Sequence, residues 1–381
     1  MIYLDQAATS WPKPIEVVDA MARFMTNSGA NPGRGGYSMS LDASRSVLDV
    51  REKAAAFFGL DDPSHVVFTA NCTESLNMVM WGALWEGDHV ILSSMEHNAV
   101  ARTAQVLRQR GLEVTIVSCD PEFGVEYDDV VEAIRPNSKM IVWTHASNVF
   151  GTVFDIERLG LIAREFGLSF MVDAAQTAGL LPINMQACNI DYLACAGHKS
   201  LYGPQGIGLL LIRRNIPMLE PWRSGGTGSY SEELDMPEVL PDRLEAGTLN
   251  TPGIIGLGAA LDYIQEHSIN DIYEHDIALI RYAYQELSQL PNVRIYGPAY
   301  DKVRVPLLSF NIGYQDSNWV AHQLNRRWDI AVRSGLHCAP LAHRSADTLD
   351  NGVVRVSVGI FNTLDEMQAL VQAVQVLSKE S

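Results

Sequence analysis

Cysteine is scarce in this chain: five in 381 residues, an odd number, with no CxxC pair. That usage excludes a disulfide framework and points to a reducing compartment. Basic residues are also few, with Lys+Arg 28 against Asp+Glu 45 and a formal net charge of −17. The negative charge is spread along the sequence, which argues against nucleic acid or an anionic membrane surface as a partner. No apolar run reaches the roughly 18 residues that a spanning helix needs, so no membrane segment is expected. The opening MIYLDQAATS has neither the basic region nor the apolar core of a signal peptide. The expectation is a cytoplasmic protein. No internal repeat or low-complexity tract interrupts the chain.

What is present is apolar material, 47% of residues. At this length it suffices for a large domain with a smaller partner. Seven short apolar runs read as strands: 65–70 (HVVFTA), 89–94 (HVILSS), 113–118 (EVTIVS), 140–145 (MIVWTH), 169–174 (SFMVDA), 192–196 (YLACA) and 208–213 (GLLLIR). Helix-period segments near 73–85, 98–110, 127–135 and 155–166 fall between several of them. This alternation predicts an α/β large domain with a mostly parallel seven-stranded sheet, covered on both faces. Ligands of such sheets sit beyond the C-terminal strand ends.

Residues 214–250, rich in Gly, Pro, Ser and Glu, read as a long ordered loop. Helices are then expected from Thr251 and near 271–289. Strands near 293–297, 305–312, 330–334 and 352–358 follow, with a helix near 317–327 and a closing helix from Thr363. This part mixes helix and strand without strict alternation, as a smaller α+β domain does. The expected division is 15–255 for the large domain, with 1–14 and 256–381 forming the small one.

Four polar stretches fall at predicted strand ends. TANCTE at 69–74 leads from a strand into a helix, where backbone N–H groups and Thr73 suit a phosphate; Thr73 equally suits a plain N-cap. His97 follows the second strand, a place where a histidine is commonly just a satisfied polar residue. Asp173 ends the strand in VDAAQ, and a carboxylate there requires a cationic partner. AGHKSLYGP at 196–204 puts Lys199 in a Gly-flanked turn between two apolar strands, an unusual place for a solvated lysine. Pyridoxal 5′-phosphate needs this combination: a lysine for its aldehyde, a carboxylate for its pyridinium nitrogen and a phosphate cradle. His97 is placed to stack on the ring and Gln176 to hold the ring hydroxyl.

The segments LDQAATS, FTANCTES, MEHNAV, SNVFGT, VDAAQT, AGHKSLYGPQGIG, EAGTLNTPGIIGLGAAL and RSGLHCAP occur in the order found in fold-type I, class V aminotransferase-like proteins. Nearly the whole chain resembles them, and most of all the cysteine desulfurases and selenocysteine lyases with a short cysteine loop. The resemblance implies pyridoxal 5′-phosphate as cofactor, L-cysteine or L-selenocysteine as substrate, and a homodimer. By it, Lys199 would carry the cofactor, Asp173 would face the pyridinium nitrogen, and His97 would stack and shuttle protons. Asn148 and Gln176 would contact the ring hydroxyl and the substrate side, and Cys72, Thr73 and His198 the phosphate. Thr248 would reach the phosphate held by the other subunit. Arg355, with Arg333 nearby, would bind the substrate carboxylate, which arginine geometry suits. Cys338 would take sulfur from the substrate as a persulfide and pass it to an acceptor protein or a small thiol.

A nucleophilic thiolate needs a cation or a base beside it, and His337 and Arg333 are the expected suppliers. Cys119, Cys188 and Cys195 read as small hydrophobes. His337, Cys338 and His343 fit no common zinc spacing, so no metal is expected. The chain departs from the family at Ala196, where a serine is frequent, in the extra Ser200 after the lysine, and in Asn71-Cys72-Thr73, where two adjacent threonines are common; Cys72 is then expected to contribute mainly through its backbone N–H. The resemblance also admits a selenocysteine lyase, or another class V aminotransferase or β-lyase, in which Cys338 is not the nucleophile.

Overall fold

The computed structural model describes every residue except Arg34 and Ser381. A short strand, β1 (Ile2–Tyr3), and two helices, α1 (Ile15–Asn27) and α2 (Ser38–Phe57), precede the large sheet. Strands and helices then alternate as β2 (Val66–Thr69), α3 (Cys72–Ala83), β3 (His89–Ser93), α4 (Asn98–Arg108), β4 (Glu113–Val117), α5 (Tyr127–Glu132), β5 (Ser138–Thr144), α6 (Ile156–Glu165), β6 (Ser169–Asp173), β7 (Tyr192–Ala196) and β8 (Gly208–Ile212). All seven expected strands form close to their expected positions.

The sheet order is β2-β8-β7-β6-β5-β3-β4. Pairings from β7 to β4 are parallel, while β8 runs antiparallel to both β7 and β2. The reason for the reversal is the link between β7 and β8. It is a short turn without a helix, and a parallel return needs a longer crossover. Successive strand residues go to opposite faces. Ile91, Ile141, Phe170 and Leu193 therefore enter one core with α2 and α6, and Val90, Met140, Met171 and Ala194 enter another with α3 and α4. Trp143 is fully buried in the first core, and burial of a large apolar side chain stabilises by about 1.5–3 kcal/mol.

After the 214–250 loop come α7 (Thr251–His267), α8 (Ile269–Ser288), β9 (Val293–Tyr296), β10 (Leu307–Ile312), α9 (Ser317–Trp328), β11 (Ile330–Ala331), β12 (Arg333–Gly335), α10 (Pro340–Ser345), β13 (Val353–Ser357) and α11 (Leu364–Lys379). α7 spans residue 255 and packs Leu257, Leu261 and Ile264 into the core of the large sheet. A second, antiparallel sheet of order β12-β13-β10-β9 shares a separate core with α8, α9 and α11. The stretch expected as one strand near 330–334 is split in two. β11 pairs in parallel with β1 at the N-terminus, whereas β12 pairs with β13. Among the described residues, no helix is long and apolar enough to cross a membrane.

Candidate active site

The C-terminal ends of β2, β3, β5, β6 and β7 share one edge of the large sheet, and the segments leaving them surround a cavity of about 230 Å³. Its walls hold Cys72, Thr73, His97, Asn148, Asp173, Gln176, His198 and Lys199 from the large sheet's loops. The C-terminal part adds Arg333, His337, Cys338 and Arg355, and the N-terminal segment adds Ala7 and Ala8. Thr248 stands apart from the other expected site residues: it is exposed and lines two other surface depressions.

Asp173 ends β6 and is buried. Its Oδ1 accepts the Ala175 N–H at 2.9 Å and the Cys72 thiol at 3.5 Å. Both donors use the same oxygen, which leaves Oδ2 for a ligand. Cys72 thus engages Asp173 through its side chain, in addition to the mainly backbone role expected of it toward the phosphate. Burial and the Asp173 charge raise its pKa well above the thiol range, so the thiol stays protonated and donates. Burial also lowers the Lys199 amine, against the opposing pull of Asp173 and Cys72.

The first turn of α3 offers N–H groups that have no partner within the helix. Its N-cap is Asn71, whose side chain accepts the Glu74 N–H, and not Thr73. Thr73 is thereby left exposed on the cavity side. His97 caps α4, and its Nδ1 accepts the Ala99 N–H at 3.1 Å, which assigns the ring proton to Nε2. Burial lowers the pKa of His97, with Asp173 opposing. Beside it Glu96 is fully buried, with Oε1 accepting the Thr144 N–H at 2.8 Å and the Ser93 hydroxyl at 2.5 Å.

Cys338 is exposed and sits at the end of a turn in which His337 and Cys338 both have left-handed backbone angles, φ 50° and φ 58°. Two such non-glycine residues in succession are strained, and the turn is held from outside. The Asn148 side-chain amide donates to the His337 carbonyl at 2.7 Å, and the Asn98 N–H to the Cys338 carbonyl at 2.7 Å. Arg333 Nη2 is 3.8 Å from Cys338 Sγ. Of the cation or base expected beside Cys338, His337 is not a cation. Burial, together with Arg355, His343 and Arg333, pushes its pKa down to about 2, so the imidazole is neutral. Arg355 spends Nη1 on the Asn148 carbonyl at 2.9 Å and Nη2 on Asp5 at 2.7 Å.

The class-V aminotransferase profile matches residues 2–370. The chain belongs to the class-V aminotransferase family. It is 36% identical over 374 residues to a probable cysteine desulfurase of Methanothermobacter thermautotrophicus, covering 97% of this chain and 92% of that protein. It is 34% identical over 387 residues to a cysteine desulfurase of Escherichia coli (strain K12 / DH10B), covering 98% and 93%. Among solved structures, the apo cysteine desulfurase of Thermococcus onnurineus NA1 superposes with a TM-score of 0.93 at 33% identity, covering 100% of this chain and 95% of that one. The cysteine desulfurase CsdA of Escherichia coli, in its S-sulfonic acid form, gives 0.89 at 31% identity, covering 99% and 94%.

Class-V aminotransferases and cysteine desulfurases are pyridoxal-phosphate enzymes, and the cavity fits that group chemically. It presents an amine, a carboxylate oxygen without a donor among the described residues, and a helix N-terminus. Three side chains at its wall also hold buried polar atoms that lack a partner among the described residues: His198 Nδ1, Arg355 Nε and both ring nitrogens of His337. Sequence reasoning about this class-V site assigned no role to Asp5 or Glu96. LDQAATS and MEHNAV were recognised as segments, but side-chain pairing across the fold is invisible in a single sequence.

Proposed function

We propose that the chain is a pyridoxal 5′-phosphate-dependent cysteine desulfurase, converting L-cysteine to L-alanine and taking the sulfur on Cys338 as a persulfide. The observation that carries this reading is the convergence of Lys199, Asp173 and Cys338 on one cavity. Bound pyridoxal phosphate supplies an electron sink for the substrate α-carbon. Lys199 holds the cofactor and takes the α-proton, a task its burial-lowered amine suits. Asp173 Oδ2 would pair with the ring nitrogen and favour its protonated form. His97 would stack on the ring, with its Nε2 proton available for transfer. The α3 N-terminus, Thr73 and His198 would hold the phosphate, and Gln176 would hold the ring hydroxyl.

Arg355 binds the substrate carboxylate with Asn148 alongside, and Arg333 favours the Cys338 thiolate. That thiolate attacks the substrate sulfur. A sulfur–sulfur bond forms as the carbon–sulfur bond breaks, leaving a persulfide on Cys338 and alanine as product. Only Ala339 separates Cys338 from α10. A turn that short limits reach, so sulfur passes to a docked acceptor protein or an entering small thiol. A second copy of the chain completes the phosphate site with its Thr248. The unpaired cysteines fit the cytoplasm.

The test is absorbance and product assay on purified protein. Lys199→Ala is expected to lose the visible band of the bound cofactor and at least about a hundredfold in turnover. Cys338→Ala is expected to keep the band and lose release of sulfide and alanine from L-cysteine. Sulfide release by Cys338→Ala at the wild-type rate would remove the persulfide step and leave a selenocysteine lyase or another class-V β-lyase.

A further inference from the structure

The turn that carries Lys199 has little regular structure of its own. It lies between β7 and β8, tied internally by the Tyr202 N–H to the Lys199 carbonyl at 2.8 Å and the Gly203 N–H to the Gly197 carbonyl at 2.8 Å. The carbonyls of His198 and Lys199 need further donors from outside the turn. They receive them from the N-terminal segment. The His198 carbonyl accepts the Ser10 N–H at 3.1 Å, the Thr9 hydroxyl at 3.1 Å and the Lys13 ammonium at 2.7 Å. Lys13 also donates to Ser10 Oγ at 2.7 Å, and that hydroxyl donates onward to the Lys199 carbonyl at 2.9 Å.

Lys13 is an unusual residue to find there. It is partly buried, and among the described residues no carboxylate forms an ion pair with it. Burial lowers its pKa to about 8. A lysine kept in such a place against that penalty has its ammonium committed to local acceptors, and those acceptors belong to Ser10 and to the backbone of the turn. Charged donors make the stronger hydrogen bonds, and removing Lys13 leaves the His198 carbonyl with neutral donors only, from Ser10 and Thr9.

We propose that Lys13 is a positioning residue for Lys199: its ammonium, through Ser10 Oγ and the His198 carbonyl, fixes the turn that presents the reactive amine. The inference rests on Lys199 being the cofactor-binding lysine. It gives the N-terminal LDQAATSWPK segment a role besides lining the cavity.

The experiment uses full-length apoprotein and follows growth of the visible band after mixing with pyridoxal 5′-phosphate or with pyridoxal, which lacks the phosphate. Four proteins are compared: wild type, Lys13→Met, Lys13→Arg and Ser10→Ala, each with its melting temperature. Lys13→Met is expected to slow band formation on the order of tenfold with both aldehydes, without a matching fall in melting temperature. Lys13→Arg, which keeps a charged donor, is expected to recover most of the rate, and Ser10→Ala to fall between. Ser10→Ala also supplies the answer if Lys13→Met does not fold, since a wild-type rate there overturns the proposal. So does a wild-type rate in Lys13→Met, and so does a loss confined to the phosphorylated aldehyde, which would make Lys13 an anion-binding charge. A wild-type protein that forms no band with pyridoxal 5′-phosphate would instead sink the cofactor reading itself.

Discussion

Glu96 shows how much the site depends on single buried groups. Both hydrogen bonds it accepts go to Oε1, and Oε2 has no partner among the described residues. Burial raises its pKa from 4.5 to about 8, so the folded protein keeps a proton that the unfolded chain loses. Between those two values the native state binds more protons, and stability must fall as pH rises from about 4.5 to about 8. Glu96→Gln retains the accepting oxygen and cannot ionise. Urea unfolding at pH 5 and pH 8 is expected to show the wild type losing on the order of a few kcal/mol more than this variant across that interval. Equal losses in the two proteins would mean that Glu96 is ionised in the fold. At this scale Lys199 and Asp173 were legible, because a lysine in a Gly-flanked turn and an acid at the end of an apolar strand each demand a partner. Glu96, Cys72 and Lys13 were not legible in these roles. Their partners are Thr144, Asp173 and the His198 carbonyl, and nothing in a linear sequence marks those pairs.

At the scale of elements, the large sheet was readable because its strands are short β-branched runs separated by helix-period segments. The closing helix α11 was readable from Thr363, and its start is a reciprocal cap: the Thr363 hydroxyl accepts the Glu366 N–H while Glu366 accepts the Thr363 N–H. The loss of such a cap costs about 1 kcal/mol. α11 does not line the cavity. Thr363→Ala is therefore expected to lower the denaturation midpoint by that equivalent while kcat for sulfide release stays unchanged; a drop in kcat would show that α11 is coupled to the site. The first two helices were not read from the sequence. α1 buries Val17 and Phe24 and leaves Ile15, Val18 and Met25 exposed. Val17, Val18, Met21, Phe24 and Met25 nevertheless keep helical spacing, so α1 was open to recognition. The antiparallel turn of β8 was missed because apolar runs carry no direction.

The outer side of α1 bears on the whole molecule. Ile15, Val18 and Met25 are 63%, 51% and 57% exposed, and Tyr37, Leu41 and Leu48 at and along α2 are exposed too. A chain whose net charge of −17 favours solubility has no need of such a surface as a monomer. Thr248, resembling a phosphate ligand in sequence, does not line its own chain's cavity. The second copy of the chain proposed above would satisfy both observations, covering the stripe and receiving Thr248. The like charges of the two copies oppose association, so apolar contact must carry it and salt must strengthen it by screening. Light scattering is expected to give twice the mass of the 42.0 kDa chain, more firmly at high salt than at low. Val18→Glu places a charge in the stripe without touching the cavity, and it is expected to shift the protein toward monomer and to weaken pyridoxal 5′-phosphate binding together. A monomeric wild type with full cofactor affinity would leave Thr248 without a role and the stripe without an occupant. A dimer undisturbed by Val18→Glu would move the interface elsewhere on the surface.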